Sequence, residues 1–246
     1  MDLTTNAILL GSLAAFCFGM SKTGVPGFGL LGVILMTNAF VGHEKLSTGA
    51  VLPLLVVADS LAVGYYIRNC DWSKIRRLAL PVLFGLGIGA MILNYVTNRQ
   101  FCILLGLIVL SMIALDQFRA FLKWNSFPHT PWFGWTMGIL GGAATVVGNA
   151  AGPVMTLYMA AQGFTKEKFM GTFAVFFFLV NISKLPIVAC LGMITSQSLL
   201  FDLCLLPAIV VGSLVGRRVF LLIPEKWFIP VILILNALAA LKMLIG

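Results

Sequence analysis

The sequence predicts an all-α polytopic membrane protein built from two inverted-topology repeats, each a broken helical hairpin followed by three full transmembrane helices. Three observations carry this expectation. Of 246 residues, 60% are hydrophobic and only 10% charged, with a mean hydropathy of +1.05. A soluble domain carries roughly a quarter charged residues, so the composition suits lipid rather than water. Six apolar runs lie near the roughly 20 residues that a bilayer core demands. Two longer apolar segments are interrupted by glycine and proline at matching places in the two halves.

In chain order, the first broken segment covers residues 6–41, interrupted at Ser21-Lys22-Thr23-Gly24-Val25-Pro26-Gly27-Phe28-Gly29. Full spans follow at 47–66, 78–95 and 101–118. The second broken segment, 132–162, is interrupted at Gly148-Asn149-Ala150-Ala151-Gly152-Pro153, and spans follow at 169–191, 199–216 and 227–245. As helices the broken segments would run roughly 47–54 Å, too long for one crossing, whereas arms of about 10 to 16 residues are too short to cross comfortably. Two short arms meeting at a tip inside the membrane fit these lengths. The expected domains are therefore 1–123 and 124–246, with hairpins at 6–41 and 132–162. No small-residue cleavage site follows the first apolar run, which is expected to be retained rather than removed as a signal peptide.

The halves align through several anchors. Gly49 matches Gly171, which places Asp59 on Asn181; Gly85 and Gly89 match Gly212 and Gly216; Asn98-Arg99-Gln100-Phe101 matches Glu225-Lys226-Trp227-Phe228. Loop charge fixes their relative orientation. The loop after the first full span holds Arg68, Lys74, Arg76 and Arg77, while its counterpart before Asp202 holds no Lys or Arg. The next loops reverse this, with Arg99 in one and Arg217, Arg218 and Lys226 in the other. Equivalent loops thus fall on opposite sides, and the repeats are inverted. Each half then needs an odd number of crossings, which three spans plus a hairpin crossing zero or two times provides. This parity puts the linker with Arg119 and Lys123, and also Lys166 and Lys168, in the cytoplasm. Met1 and Gly246 are then periplasmic, in a multi-pass protein of a bacterial inner membrane.

The net charge of +8 comes from short loops between apolar runs, so it reads as membrane topology and not as a nucleic-acid surface. Five cysteines form no C-x-x-C pair, and His43 and His129 are the only histidines, so no metal site is expected. Nucleophile-elbow, H-E-x-x-H and Walker patterns are absent. Neither catalytic residues nor a cofactor are expected, and the partners are a small anionic substrate and the lipid bilayer.

A backbone break within apolar sequence frees N–H and C=O groups that lipid cannot satisfy. In each hairpin the second arm starts at the tip, and a helix N-terminus favours anions. Gly24, Gly27, Gly29 and Gly152 would let backbone approach a ligand closely. Lys22 is the most informative residue, because a lysine deep in apolar sequence costs about 2.5–3.5 kcal/mol or more and is usually functional. It either binds an anion or pairs with a carboxylate such as Asp59. Ser21, Thr23 and Asn149 offer neutral hydrogen bonds to an oxyanion. Asp59 and Asn181, at matching places in matching helices, read as a site-facing pair with Asp59 the candidate coupling residue; helix–helix glue is the alternative for both. Lys184 reads as snorkelling to the interface, and Asp116 and Asp202 as interfacial.

The stretch Phe18-Gly19-Met20-Ser21-Lys22-Thr23-Gly24-Val25-Pro26-Gly27-Phe28-Gly29 resembles the glycine-rich opening of the TauE/SafE sulfite exporter family, and Gly148-Asn149-Ala150-Ala151-Gly152-Pro153 with Thr156-Leu157-Tyr158 resembles its second-half counterpart. The likeness covers nearly the whole chain. It implies an inner-membrane transporter of sulfite or organosulfonates, in the direction of export. The expected function is secondary transport of small sulfur oxyanions by alternating access around two broken-helix tips. The inside-negative potential would assist outward movement of an anion by about 2.3 kcal/mol per charge per 100 mV. An H⁺- or Na⁺-coupled importer of an anionic metabolite and a passive anion channel remain as alternatives.

Overall fold

The computed structural model describes residues 5–40, 44–93, 95, 97, 100, 130–149 and 151–245. The expected span 101–118 lies outside the described residues, as do Arg119, Lys123, His43, Cys102, Asp116 and His129. The described elements are helices: α1 (Thr5–Thr23), α2 (Phe28–Ala39), α3 (Glu44–Ala50), α4 (Leu52–Tyr66), α5 (Trp72–Leu93), α6 (Pro131–Gly148), α7 (Gly152–Ala161), α8 (Lys166–Cys190), α9 (Ser196–Leu222) and α10 (Glu225–Ile245), with a 3-10 turn at Ile67–Asn69. Four segments among them are long and apolar enough to cross a membrane: Ser47–Asn69, Trp72–Ile92, Lys166–Cys190 and Ser196–Leu222. The protein is an all-α polytopic membrane protein.

The chain forms two compact units, residues 1–68 with 174–223 and residues 69–173 with 224–246. Each unit draws on both sequence halves.

In the first unit α1 and α9 run side by side in the same direction. Gly11 faces Phe201, Gly19 faces Ile209 and Ser213, and Gly24 faces Gly216. The helices touch through backbone: a Cβ at Gly212 would lie 2.2 Å from the Phe16 carbonyl oxygen. Small residues at such positions are what lets membrane helices approach this closely. Helix α2 returns antiparallel along α1, so that Gly29 faces Ser21 and Gly32 faces Phe18. Phe40 then meets Phe201 edge-on, with centroids 5.7 Å apart. The two ends of the first hairpin therefore lie at one end of the unit, both near Phe201. Around this junction Phe18, Met36, Leu54 and Leu205 form the core.

The hairpin arms are less equal than the sequence suggests. The first arms, α1 and α6, have 19 and 18 residues, and the second arms, α2 and α7, have 12 and 10. Ser21, Lys22 and Thr23 stay helical, and the chain leaves the helix only at Gly24, where the Gly24 and Val25 N–H groups both donate to Met20 O at 2.9 and 3.1 Å. In the second hairpin Gly148 stays helical. Asn149 ends α6 in the left-handed conformation, φ 53°, which asparagine tolerates better than most residues.

In the second unit α5 and α6 also run parallel at backbone contact. Gly138 faces Pro81, Gly142 faces Val82 and Gly85, and Gly89 faces Ala143. Helix α7 folds back on α6, with Phe133 stacked on Tyr158 at 5.8 Å. The α10 ring of Phe228 meets Phe169 of α8 edge-on at 5.5 Å.

Helix α5 begins six residues before the expected span 78–95, because Asp71 caps it. Its Oδ1 accepts from the N–H groups of Ser73 and Lys74 at 3.1 and 3.3 Å. Lys74, Arg76 and Arg77 thus lie in the opening turns of a helix and not in a loop. Asp71 Oδ2 also pairs with Lys168 Nζ at 2.9 Å, and its N–H donates to Thr172 Oγ1 at 3.0 Å. Partial burial pushes the Asp71 carboxyl up, but Lys168 and the backbone N–H groups prevail and hold it below the usual carboxylate range. Next to it, burial and the Asp71 charge push the Cys70 thiol up to about 11, which leaves it unreactive as a nucleophile.

Candidate anion site

Lys22 occupies the last turn of α1, where its side chain reaches α4 and α8 inside the first unit. Its Nζ lies 2.9 Å from Asp59 Oδ1 and 4.0 Å from the centroid of the Phe177 ring. Asp59 Oδ2 accepts from Asn181 Nδ2 at 2.6 Å. Asp59 is 0% exposed and Lys22 7%. Of the two roles open to Lys22 from sequence, pairing with Asp59 is therefore realised in this conformation. Asp59 and Asn181, aligned by the repeat, meet each other directly. The ammonium is thus buried against one carboxylate and one aromatic face. Removing one partner of such a pair costs about 3–5 kcal/mol, because the other charge is then buried alone.

Lys184 corrects the sequence reading. It does not snorkel to an interface but is 0% exposed. Phe177, Asn181 and Lys184 follow one another at i, i+4 and i+7 on α8, the spacing of a single helix face. The ammonium of Lys184 lies in the electrostatic field of both Lys22 and Asp59. Its three-residue offset from Asn181 is the sequence signal that points to this placement. Asp202 is buried within α9, and neither carboxylate oxygen has a hydrogen-bond partner among the described residues.

The neighbouring hydroxyls serve the tip itself. Ser21 Oγ donates to Pro26 O at 2.8 Å, across the break. Thr23 Oγ1 is shared between Ser213 O at 2.6 Å and Gly19 O at 3.0 Å. The Tyr66 hydroxyl donates to Thr23 O at 2.7 Å, satisfying a carbonyl freed by the end of α1. Gly24 lies against Gly216, Gly29 against Ser21 Oγ, and Gly27 precedes α2 with ordinary helical angles. Asn149 and Gly152 belong to the second unit, where Gly152 opens α7 and a Cβ added to it would meet no heavy atom within 4 Å. Lys22, Ser21, Thr23, Gly24, Gly27, Gly29, Asp59 and Asn181 belong to the first unit. Among the described residues no group of three or more His, Cys, Asp or Glu side chains could hold a metal ion.

The family model described as Sulfite exporter TauE/SafE matches residues 7–243. A protein of Cupriavidus necator described as a probable sulfite/organosulfonate exporter TauE is 22% identical over 214 residues, which cover 85% of this chain and 83% of that one. No solved structure matches. The chain belongs to the sulfite exporter TauE/SafE family, whose members are membrane transporters and not enzymes.

Proposed function

From that membership we propose that the chain is a secondary transporter of small sulfur oxyanions, sulfite or an organosulfonate, which it exports by alternating access around its two broken-helix tips. Its place is a bacterial inner membrane, with both termini periplasmic. The observation that carries the anion site is Lys22: a lysine beside a helix break, buried, and paired with Asp59 at 2.9 Å. An incoming oxyanion takes the place of the Asp59 carboxylate on the ammonium. Gly24, Gly27, Gly29, Gly152 and Asn149 shape the tips, and Ser21, Thr23 and Asn181 supply polar groups near the anion.

The two parallel helix pairs support duplication of the halves. Gly212 and Gly216 receive α1, and their aligned counterparts Gly85 and Gly89 receive α6. Full burial of Asp59 favours a second reading, in which it carries H⁺ or Na⁺ and couples anion uptake. Flux measured in reconstituted vesicles with a panel of sulfur anions tests the proposal. Saturable, trans-stimulated sulfite or sulfonate flux supports a carrier; linear flux without trans-stimulation points to a channel, and absence of flux for every sulfur anion refutes it. Reporter fusions active only in the cytoplasm should be silent at both Met1 and Gly246.

A further inference from the structure

The face of α8 that carries Phe177 and Asn181 continues to Lys184. The first two touch Lys22 and Asp59 directly, at 4.0 Å from Nζ to ring centroid and 2.6 Å from Nδ2 to Oδ2. The helix repeat places the third on the same side, one turn further on. Lys184 is 0% exposed, so its ammonium is not in water, and it shares an electrostatic environment with Lys22 and Asp59. Two ammonium groups within each other's field repel, and that repulsion is greater in a buried setting than in water. Asp59 relieves part of it. A bound anion would relieve it further, at either lysine or at both.

We propose that Lys184 is the second cation of the anion seat, so that the transported oxyanion is held between the Lys22 and Lys184 side chains after displacing the Asp59 carboxylate from Lys22. This deepens the transport reading above and rests on it. The ligand class follows from the donors. Each ammonium offers three N–H groups, and a sulfur centre with three oxygens can accept from two lysines at once while presenting an oxygen to Asn181. A compact anion that can reach only one ammonium gains less. Lys184 acts as a specificity-determining residue for tri-oxo sulfur anions.

The test is equilibrium binding of sodium sulfite to the full chain in lipid nanodiscs, under anaerobic conditions, with thermal unfolding as the control for folding. Lys184→Met should weaken sulfite binding by about ten- to a hundredfold, the loss of one charge-assisted hydrogen bond. Lys184→Arg, which keeps the charge, should recover most of it, and a purely structural lysine would not yield this split at unchanged stability. If Lys184→Met does not fold, Lys184→Gln carries the same comparison with a polar head retained. Chloride competition gives a second readout: the preference for sulfite over chloride should shrink in Lys184→Met. Wild-type affinity and selectivity in both the Met and Gln variants would overturn the assignment of Lys184. If that happens while Lys22→Ala loses binding, only Lys184 is refuted. Should the wild-type chain itself bind neither sulfite nor methanesulfonate, the transport reading fails together with this inference.

Discussion

Lys22 and Asp59 meet at 2.9 Å inside the first unit, joining the end of a broken helix to the middle of a spanning one. On the proposed reading the carboxylate competes with an incoming anion for Lys22. Lys22→Ala should abolish sulfite binding in nanodiscs, and Lys22→Arg should keep part of it, because charge persists while geometry changes. Retained binding in the alanine variant would exclude Lys22 from the seat.

Asp59→Asn separates stability from affinity. Without its carboxylate Lys22 is buried unpaired, so the anion-free protein should lose about 3–5 kcal/mol of stability. Sulfite should then bind more tightly, and the rise in unfolding temperature on adding sulfite should exceed that of the wild type. If Asp59 instead carries the coupling proton, the same variant would bind sulfite unchanged and transport it without response to a pH gradient. No change in either quantity would leave Asp59 as helix packing.

Tyr66→Phe removes the donor that satisfies the Thr23 carbonyl. A buried acceptor left without its partner costs about 1–3 kcal/mol, and chemical unfolding in detergent micelles measures that directly. A loss below a few tenths of a kcal/mol would show that this carbonyl finds another donor.

Gly212→Ala should destabilise the protein by about 1–3 kcal/mol, since the new methyl would collide with the Phe16 carbonyl oxygen at 2.2 Å. Gly64→Ala is the control: it is exposed, meets nothing within 4 Å, and lies within helix α4. Alanine there should be neutral or slightly stabilising by helix propensity. Equal destabilisation at both positions would argue against the close helix crossing.

The pairing of Asp71 with Lys168 predicts a pH dependence. Its folded carboxyl is held below the unfolded value, so the folded state binds the proton less readily. The resulting stabilisation is fully present above the ordinary aspartate range near about 4 and is lost as pH falls through the folded value. The unfolding-temperature difference between wild type and Asp71→Asn should be constant near neutrality and shrink in acid. A difference that grows on acidification would reverse the assigned sign.

Much of the architecture is legible in the sequence because lipid imposes strong rules on it. Apolar run length marks the spans, and Gly24 to Gly27 and Asn149 to Gly152 mark the turns of the hairpins. The contact between Lys22 and Asp59 is one of the two options the sequence leaves open, since few charges are available to pair inside apolar sequence. Lys184 is harder to place because only five residues separate it from Cys190 at the end of α8, and distance to a helix end does not reveal which face a side chain occupies. Asp71 escapes notice as a cap although the N–H groups it receives, those of Ser73 and Lys74, are its near neighbours: the basic stretch from Arg68 to Arg77 reads as a charged loop, and the start of α5 is misplaced with it.

The backbone contact of α1 with α9 has a mechanical consequence. Helices separated by a layer of side chains can slide by small rotamer changes, but here the Phe16 carbonyl abuts Gly212 and Gly24 abuts Gly216, with no such cushion to shear. The first hairpin and α9 are therefore geared to travel as one piece. Lys22, by contrast, meets Asp59 and Phe177 through side-chain tips, so that contact can change by rotamer shifts that leave the backbone in place.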